Sequence, residues 1–166
     1  MLSDRMAILH RGRTLQQGTP LEVMARPASS LVARLVDLRN VFPCDIVSHD
    51  AGSQTTIVRA LGGLLQCQLA TEHAIGAQVI GAIPASQVIL HRRDRPSRGE
   101  RENPVSGRVE EFVALGETVA ITLSIRGASE RLHVTIPLHV ARRNGLAAGS
   151  DATVSLLADG IHLMGN

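Results

Sequence analysis

The chain has 166 residues, of which 44% are hydrophobic and 19% charged, and its formal net charge is +2. This length suits one domain or two small ones, and such a chain can form a core without disulfides or a structural metal. The apolar stretches are shorter than the roughly 20 residues that span a bilayer, and Asp4 interrupts the basic start that a signal peptide needs. We therefore expect a cytoplasmic protein with no segment inserted in a membrane.

The aromatic content argues against a nucleic-acid-binding protein. Phe42 and Phe112 are the two aromatic residues, and the sequence has no Trp or Tyr. Single-stranded nucleic acids usually stack on aromatic side chains above a basic groove. Although the pI is near 9.0, the stacking residues that such a groove needs are nearly absent.

The first 39 residues predict a strand hairpin followed by two helices. Residues 6–9 and 14–16 are short runs on either side of a turn. Thr19 is placed to cap a helix that begins at Pro20, and Glu22 completes a capping box. An apolar stripe predicts a second helix. The stripe consists of Leu31, Val32, Leu35, Val36 and Leu38.

From Asn40 onward, apolar and polar residues alternate with the two-residue period of strands that bury one face. The clearest runs are 65–69, 119–125, 132–136 and 152–156, and glycines separate them. Short strands of this kind close into small barrels. The sequence therefore predicts a mainly β protein with two small β-barrel units after the hairpin and the two helices.

Three short matches in the same order indicate an internal repeat. They place Asn40 on Asn103, Cys67 on Val134, and Gly76 on Gly149, with offsets that grow as loops lengthen. A charged stretch with Pro and Gly lies between the two copies. We predict an N-terminal segment at 1–39, β units at 40–91 and 103–166, and a linker at 92–102.

No motif for catalysis or metal binding is present in the sequence. Phosphate-binding glycine loops, a nucleophile elbow and zinc-protease spacing are all absent. Cys44 and Cys67 do not have metal or redox spacing, so we expect two buried free thiols. The histidines are scattered, which favours surface positions over a metal site. They are His10, His49, His73, His91, His133, His139 and His162.

The opening stretch LSDRMAILHRGRTLQQGTPLEVMARPASSLVARLVDLRN closely resembles the end of the ATP-binding subunit of bacterial ABC importers. The matching pieces include the Gly18-Thr19-Pro20 helix start, Glu22, the Pro27-Ala28 break and Asn40. In that family the nucleotide-binding motifs lie upstream of this region. The resemblance therefore implies that residues 1–39 are the C-terminal remnant of an ATPase domain. It also implies that the chain itself is not an enzyme and holds no cofactor.

The remaining residues resemble the regulatory domains that follow such ATPase domains. These are OB-like barrels called TOBE domains, or MOP domains in the molybdate-binding branch. GAQVIGAIPASQVIL is similar to the end of a first unit. NPVSGRVEEFVALGETVAITL and GLAAGSDATVSLLADGIHL are similar to the opening and close of a MOP unit. The resemblance implies two OB-like units and a site for molybdate or tungstate at a seam between subunits.

The oxyanion donors of the MOP family are only partly present here. Residues 100–102 read Glu-Arg-Glu where the family has Ser-Ala-Arg, and Pro137, Val140 and Leu157 replace Thr, Ser and Lys. Backbone N–H groups and hydroxyls bind tetrahedral anions without a fixed countercharge, so these changes favour loss or alteration of the site. Five residues could compensate, namely Arg101, His139, Arg142, Arg143 and Asn144, and Asn103 matches the family's opening motif. The five candidate oxyanion-binding residues are Arg101, Asn103, His139, Arg142 and Asn144.

The resemblance implies the C-terminal regulatory and dimerisation region of an importer ATP-binding subunit, which senses a small oxyanion such as molybdate, tungstate or sulfate. The implied partners are a second copy, through the β units, and the importer's membrane subunits, at the inner face of the cell membrane. One alternative is the same region of a sugar, polyamine or ferric-iron importer without a ligand site. Another is a free-standing oxyanion storage protein, and an OB-type nucleic-acid-binding protein is the third.

Overall fold

A hairpin, three short helices and two five-stranded antiparallel sheets make up residues 4–91 and 101–165, the part that this computed structural model describes. The first elements are β1 (Met6–His10), β2 (Arg13–Gly18), α1 (Pro20–Ala25), α2 (Ser30–Leu35), β3 (Val41–Asp50), β4 (Thr55–Ala60), β5 (Gly63–Gln68), β6 (Gln78–Ala82) and β7 (Val88–Leu90). The remaining ones are β8 (Glu102–Leu115), β9 (Thr118–Ile125), β10 (Arg131–Pro137), α3 (Leu138–Arg143), β11 (Asp151–Leu157) and β12 (His162–Gly165). Strands make up 53% of the residues and helices 16%, which confirms the predicted mainly β class.

The capping box predicted for the N-terminal segment is present at the start of α1. Thr19 Oγ1 accepts a hydrogen bond from the Glu22 N–H at 3.3 Å, and the Glu22 carboxylate accepts one from the Thr19 N–H at 2.9 Å. The Thr19 N–H and, to a smaller extent, the Thr19 hydroxyl both donate to the Glu22 carboxylate and lower the pKa of Glu22. The box fixes where the chain leaves β2 and enters the helix.

The second helix is shorter than the apolar stripe predicts. α2 ends at Leu35, and Asp37 has a left-handed backbone with φ of 55° that is incompatible with a continued helix. Within the stripe Val32 is buried, whereas Leu31 and Leu35 are exposed. Ala33, which is not part of the stripe, is also buried. A six-residue helix therefore packs through Val32 and Ala33.

Each five-stranded sheet takes one edge strand from the other half of the chain. The first sheet has the order β12-β6-β3-β4-β5 and the second β7-β11-β8-β9-β10. The predicted β units at 40–91 and 103–166 therefore do not coincide with the two sheets, because each gives its last strand to the other. β8 begins at Glu102, the last residue of the predicted linker, and residues 92–100 lie outside the described residues.

The internal repeat extends to individual backbone contacts. β3 has a bulge next to Ile46 and β8 has one next to Val109. Gly76 donates its N–H to Ile46 O at 2.8 Å, and Gly149 donates to Val109 O at the same distance. Both glycines have a positive φ, of 84° and 86°, which side chains rarely adopt. The two halves of the chain thus build the same sheet twice.

One hydrophobic core contains residues from both sheets. Phe42 is buried in this core and Phe112 packs against it. Cys44 and Cys67 are buried free thiols, as the sequence predicts. Burial raises the pKa of Cys44 to about 12 and that of Cys67 to about 11, so both thiols stay protonated near neutral pH.

The last strand of the chain fastens the N-terminal segment to the first sheet. Ala33 of α2 packs with Ala82 of β6 and Met164 of β12 in a second buried cluster. His162 Nε2, also in β12, lies 3.1 Å from Pro27 O. Because the carbonyl oxygen accepts, this nitrogen carries the hydrogen. The N-terminal segment therefore has a fixed position relative to the barrels.

We expect stability to fall as the pH is lowered from about 7 to about 5. Burial lowers the pKa of His162, and the hydrogen bond to Pro27 O opposes that effect only in part. Burial also lowers the pKa of His133. A histidine whose pKa is lower in the folded than in the unfolded protein contributes stability above the unfolded value of about 6.5 and loses it as the pH falls through the folded one.

Urea denaturation at both pH values measures this decline. His162→Gln removes the titrating group but keeps an N–H that reaches Pro27 O, so the variant is expected to decline less than the wild type. Equal declines in the two proteins would show that His162 has no part in the pH dependence.

Candidate functional site

Asn103, one of the five predicted oxyanion candidates, is buried and its side chain joins the two sheets. Its Oδ1 accepts a hydrogen bond from the Gln66 N–H at 2.7 Å. Its Nδ2 donates to Gln66 O at 2.9 Å and to Leu156 O at 3.0 Å. Both hydrogens of the amide are therefore used within the protein.

Asn40 makes the reciprocal connection. Its Nδ2 donates to His133 O at 2.8 Å and its Oδ1 accepts from the His133 N–H at 2.6 Å. Asn40 precedes β3 of the first sheet and His133 lies in β10 of the second, whereas Asn103 lies in β8 and Gln66 in β5. We call Asn40 and Asn103 the clamp residues, because each bonds to the edge strand of the other sheet. Asn103 bonds to β5 and Asn40 bonds to β10.

Arg101 lies apart from the other candidates. Its Nη1 donates to Ser53 O at 3.0 Å, in the turn between β3 and β4, and the residue is exposed. The next residue, Glu102, is partly buried, and its carboxylate lies 3.7 Å from His91 Nδ1. Arg101 therefore contacts the first sheet and has no described contact with α3.

The positions at which the MOP family has its hydroxyl donors line a small cavity of about 490 Å³. Glu102, Pro137 and Val140 are among its lining residues, and none of its described lining residues is a lysine or arginine. The Glu102 carboxylate opposes the binding of an anion there. This cavity is poorly suited to an oxyanion.

The remaining candidates, His139, Arg142 and Asn144, lie on or just after the short helix α3. His139 and Asn144 line a cleft of about 1040 Å³ between α3 and the strands β7, β8 and β11. Arg142 is exposed and does not line it. Asn144 donates its side-chain N–H to Val140 O at 2.8 Å, which orients the amide.

The structure adds polar residues to this cleft that sequence reasoning missed. They are His91, Ser106, Arg126, Asp151 and Thr153, and the predicted compensating residue Arg143 lines the cleft with them. The five added residues come from four separate stretches of the chain, so no local motif marks them. Arg143 and His139 have no side-chain partner among the described residues, and Arg126 lies 3.6 Å from Asp151 with both side chains 74% exposed. The cleft therefore presents one guanidinium group without a described partner, that of Arg143, and a second, that of Arg126, beside a carboxylate.

Within residues 4–91 and 101–165, no group of three or more His, Cys, Asp and Glu side chains is arranged to hold a metal ion. The helices of the same residues are all too short or too polar to cross a membrane.

The fold is that of a known class of small β domains. A solved structure of the cytoplasmic molybdate-binding protein ModG, with molybdate bound, superimposes with a TM-score of 0.66. It covers 77% of this chain and 96% of that one, at 22% identity. The described structure therefore has the OB-like fold of paired TOBE/MOP units, as the sequence predicts. No family model matches the chain.

Sequence comparisons show which proteins this chain resembles. The spermidine/putrescine import ATP-binding protein PotA of Pseudomonas fluorescens is 30% identical over 91% of this chain, which spans 38% of that relative. The sn-glycerol-3-phosphate import ATP-binding protein UgpC of Cupriavidus metallidurans is 60% identical over 60% of the chain and 24% of its own length. The Fe(3+) ions import ATP-binding protein FbpC of Streptomyces avermitilis is 29% identical over 69% of the chain and 41% of its own length. The homologues of this chain are ATP-binding subunits of ABC importers, and it corresponds to their C-terminal part.

Proposed function

We propose that the chain is the regulatory and dimerisation region of an ABC importer ATP-binding subunit, and that it senses an oxyanion. ATP binding and hydrolysis would belong to the rest of that subunit, which would act at the inner face of the cell membrane with the importer's membrane subunits. A ligand can regulate such a subunit only if it binds one of its states more tightly than the other.

The observation that carries this proposal is the attachment of the N-terminal segment to the barrels. Residues 4–39 match the end of the ATPase domain, and the buried contact of Ala33 with Met164 holds them on the first sheet. Arg26 Nη2 adds a bond to Gln68 Oε1 at 3.3 Å. A change in the barrels would therefore reach the ATPase domain through fixed contacts. A free-standing storage protein would have no use for this attachment.

Dimerisation is supported by an exposed apolar tip on the β8–β9 hairpin. Val113 and Leu115 lie two residues apart on β8, and they are 50% and 59% exposed. Residues at this spacing face the same side of a strand. A second copy of the chain would cover them.

Sedimentation equilibrium tests this role of the hairpin tip. The wild-type chain is expected to form a dimer, and the double variant Val113→Ser with Leu115→Ser is expected to dissociate at concentrations that keep the wild type paired. Leu64→Ser is the control, because Leu64 is similarly exposed, at 61%, but lies in β5. A monomeric wild type would refute dimerisation.

Oxyanion sensing is supported by the cationic cleft beside α3. Small inorganic oxyanions such as molybdate, tungstate and sulfate are candidate ligands, and calorimetric titration of the chain with each of them is the test. Micromolar binding of one would support sensing, whereas a dimer that binds none would leave a module that acts through protein contacts alone.

The second candidate function is the same region of an importer that has no ligand site in its barrels. It is favoured by the small cavity at the family's donor positions, where Glu102 and Pro137 replace anion-binding groups. Relatives named for spermidine and putrescine, for sn-glycerol-3-phosphate and for Fe(3+) fit this alternative. The same titrations separate the two.

A further inference from the structure

The internal repeat makes one face of the first sheet directly comparable with one face of the second. In each sheet, three residues lie side by side on neighbouring strands, and the repeat makes the two sets of three equivalent. They are Met164, Ile80 and Pro43 in the first and His91, Thr153 and Ser106 in the second. The same comparison pairs Ala82 with Ser155, which lie two positions along β6 and β11 from Ile80 and Thr153. Differences between the two faces therefore reflect side chains rather than backbone.

The face of the first sheet is apolar, and the chain itself covers it at Ala82 and Met164, whereas Pro43 is exposed. Ala82 and Met164 are buried under Ala33 of α2. Ile80 and Leu38 pack against the same cluster. Contacts of this kind exclude water and leave no room for a ligand.

The corresponding face of the second sheet carries polar groups instead. Ser106 Oγ and Thr153 Oγ1 are hydrogen-bonded at 2.8 Å. His91 Nδ1 lies 2.8 Å from the hydroxyl of Ser155. Ser155 occupies the position in the second sheet that Ala82 occupies in the first. Among the described residues, no helix covers this face as α2 covers the first, and the large cleft opens beside it.

Cationic side chains surround this polar face. Arg126 stands where the first sheet has the buried Leu61, and each is followed by a glycine with positive φ. Arg143 extends from α3 without a partner among the described residues and also lines the cleft. Asp151 is the one carboxylate among the described lining residues. Among the described lining residues, the two arginines outnumber the one carboxylate.

The size of the cleft indicates what kind of anion it suits. Its volume of about 1040 Å³ lies near the upper end of the roughly 300–1,000 Å³ found for small-molecule sites. A bare tetrahedral oxyanion fills a small part of this space. Leu90, Val140 and Leu146 supply an apolar wall beside the hydroxyls and the amide, which suits an organic body attached to the anion.

We propose that the cleft binds a phosphate-type dianion carried on a small polar organic body, that is, a phosphate monoester. Arg126 and Arg143 bind the phosphate oxygens, for which guanidinium groups have matching geometry. Ser106, Thr153 and Asn144 contact the body. This inference rests on the sensing part of the proposed function and names the ligand class of that site.

Calorimetric titration of the whole chain with glycerol 2-phosphate, inorganic phosphate and molybdate tests the inference. The monoester is expected to bind more tightly than either inorganic anion. Arg143→Ala is expected to weaken its binding at least about 10-fold, the loss of one charge-assisted hydrogen bond. Asp151→Asn is expected to strengthen binding, because it removes the carboxylate that competes for Arg126.

Arg142→Ala is the matched control, since Arg142 is an exposed cation on the same helix that does not line the cleft. It is expected to leave binding unchanged. An equal loss of affinity in the Arg142 and Arg143 variants would show that binding depends only on the general positive charge of α3, and it would overturn the inference. Inorganic phosphate that binds as tightly as the monoester would also overturn it. A dimer that binds no monoester overturns the ligand class while the dimerisation role stands, and a monomer that binds it overturns dimerisation alone.

Discussion

Removal of residues 162–166 is expected to lower the free energy of unfolding by about 4 kcal/mol, from about 2 kcal/mol for each buried side chain lost. The two side chains are Leu163 and Met164, which are 7% and 3% exposed. The deletion also takes away the strand that pairs with β6 and the hydrogen bond from His162 to Pro27. The deletion is therefore expected to destabilise the first sheet and the N-terminal segment, which are far from the deleted residues in sequence.

Urea denaturation measures this change, and hydrogen exchange locates it. Amides of β6 are expected to exchange faster after the deletion, because β12 no longer covers that edge. Ile75→Ala is the control for a truncated apolar side chain, since Ile75 is 65% exposed and its loss is expected to cost less than about 0.5 kcal/mol. A truncated chain as stable as the full one would contradict the strand exchange itself.

Asn103→Ala is expected to lower the free energy of unfolding by about 3 kcal/mol, because each buried polar group left without a partner costs about 1–3 kcal/mol. The substitution removes three hydrogen bonds, two to Gln66 and one to Leu156. Asn40→Ala is expected to cost about 2 kcal/mol for its two bonds to His133. Chemical denaturation of both variants measures these losses.

Asn144→Ala is the matched control for the clamp residues. Asn144 is exposed and bonds only to Val140 O among the described residues, so the change is expected to stay within about 0.5 kcal/mol. Asn103→Asp tests the donors separately, since a carboxylate keeps the bond from the Gln66 N–H but cannot donate to Gln66 O or Leu156 O. An Asn103→Asp protein as stable as the wild type would show that the Nδ2 donors contribute nothing.

The repeat and the fold class could be predicted because their signals are local in the sequence. Alternation places every second residue in the core, and the glycines at 76 and 149 stand where a positive φ is needed. The exchange of strands could not be predicted, because a strand such as β12 carries the same alternation whichever sheet it joins. The three residues of β7 are too few to indicate from the sequence which sheet the strand joins.

The candidate site was predicted only in part, for a different physical reason. Asn103 matches the opening motif of the MOP family, but the motif does not show whether the side-chain amide binds a ligand or bonds to backbone groups. The structure shows that it bonds to Gln66 and Leu156. His139 and Asn144 do line the cleft, whereas Arg126 joins them from the end of β9. Contacts between such distant segments depend on the tertiary fold.

The exchange of β7 and β12 also constrains how the protein is made. The first sheet receives its edge strand β12 from the second half of the chain, so it cannot be completed until that half has been synthesised. Pairing over such a sequence distance requires closing a long loop, which slows folding. Until then β6 exposes an unpaired edge, the kind of surface on which nascent chains associate wrongly. Expression of the first half alone would leave that edge of β6 unpaired.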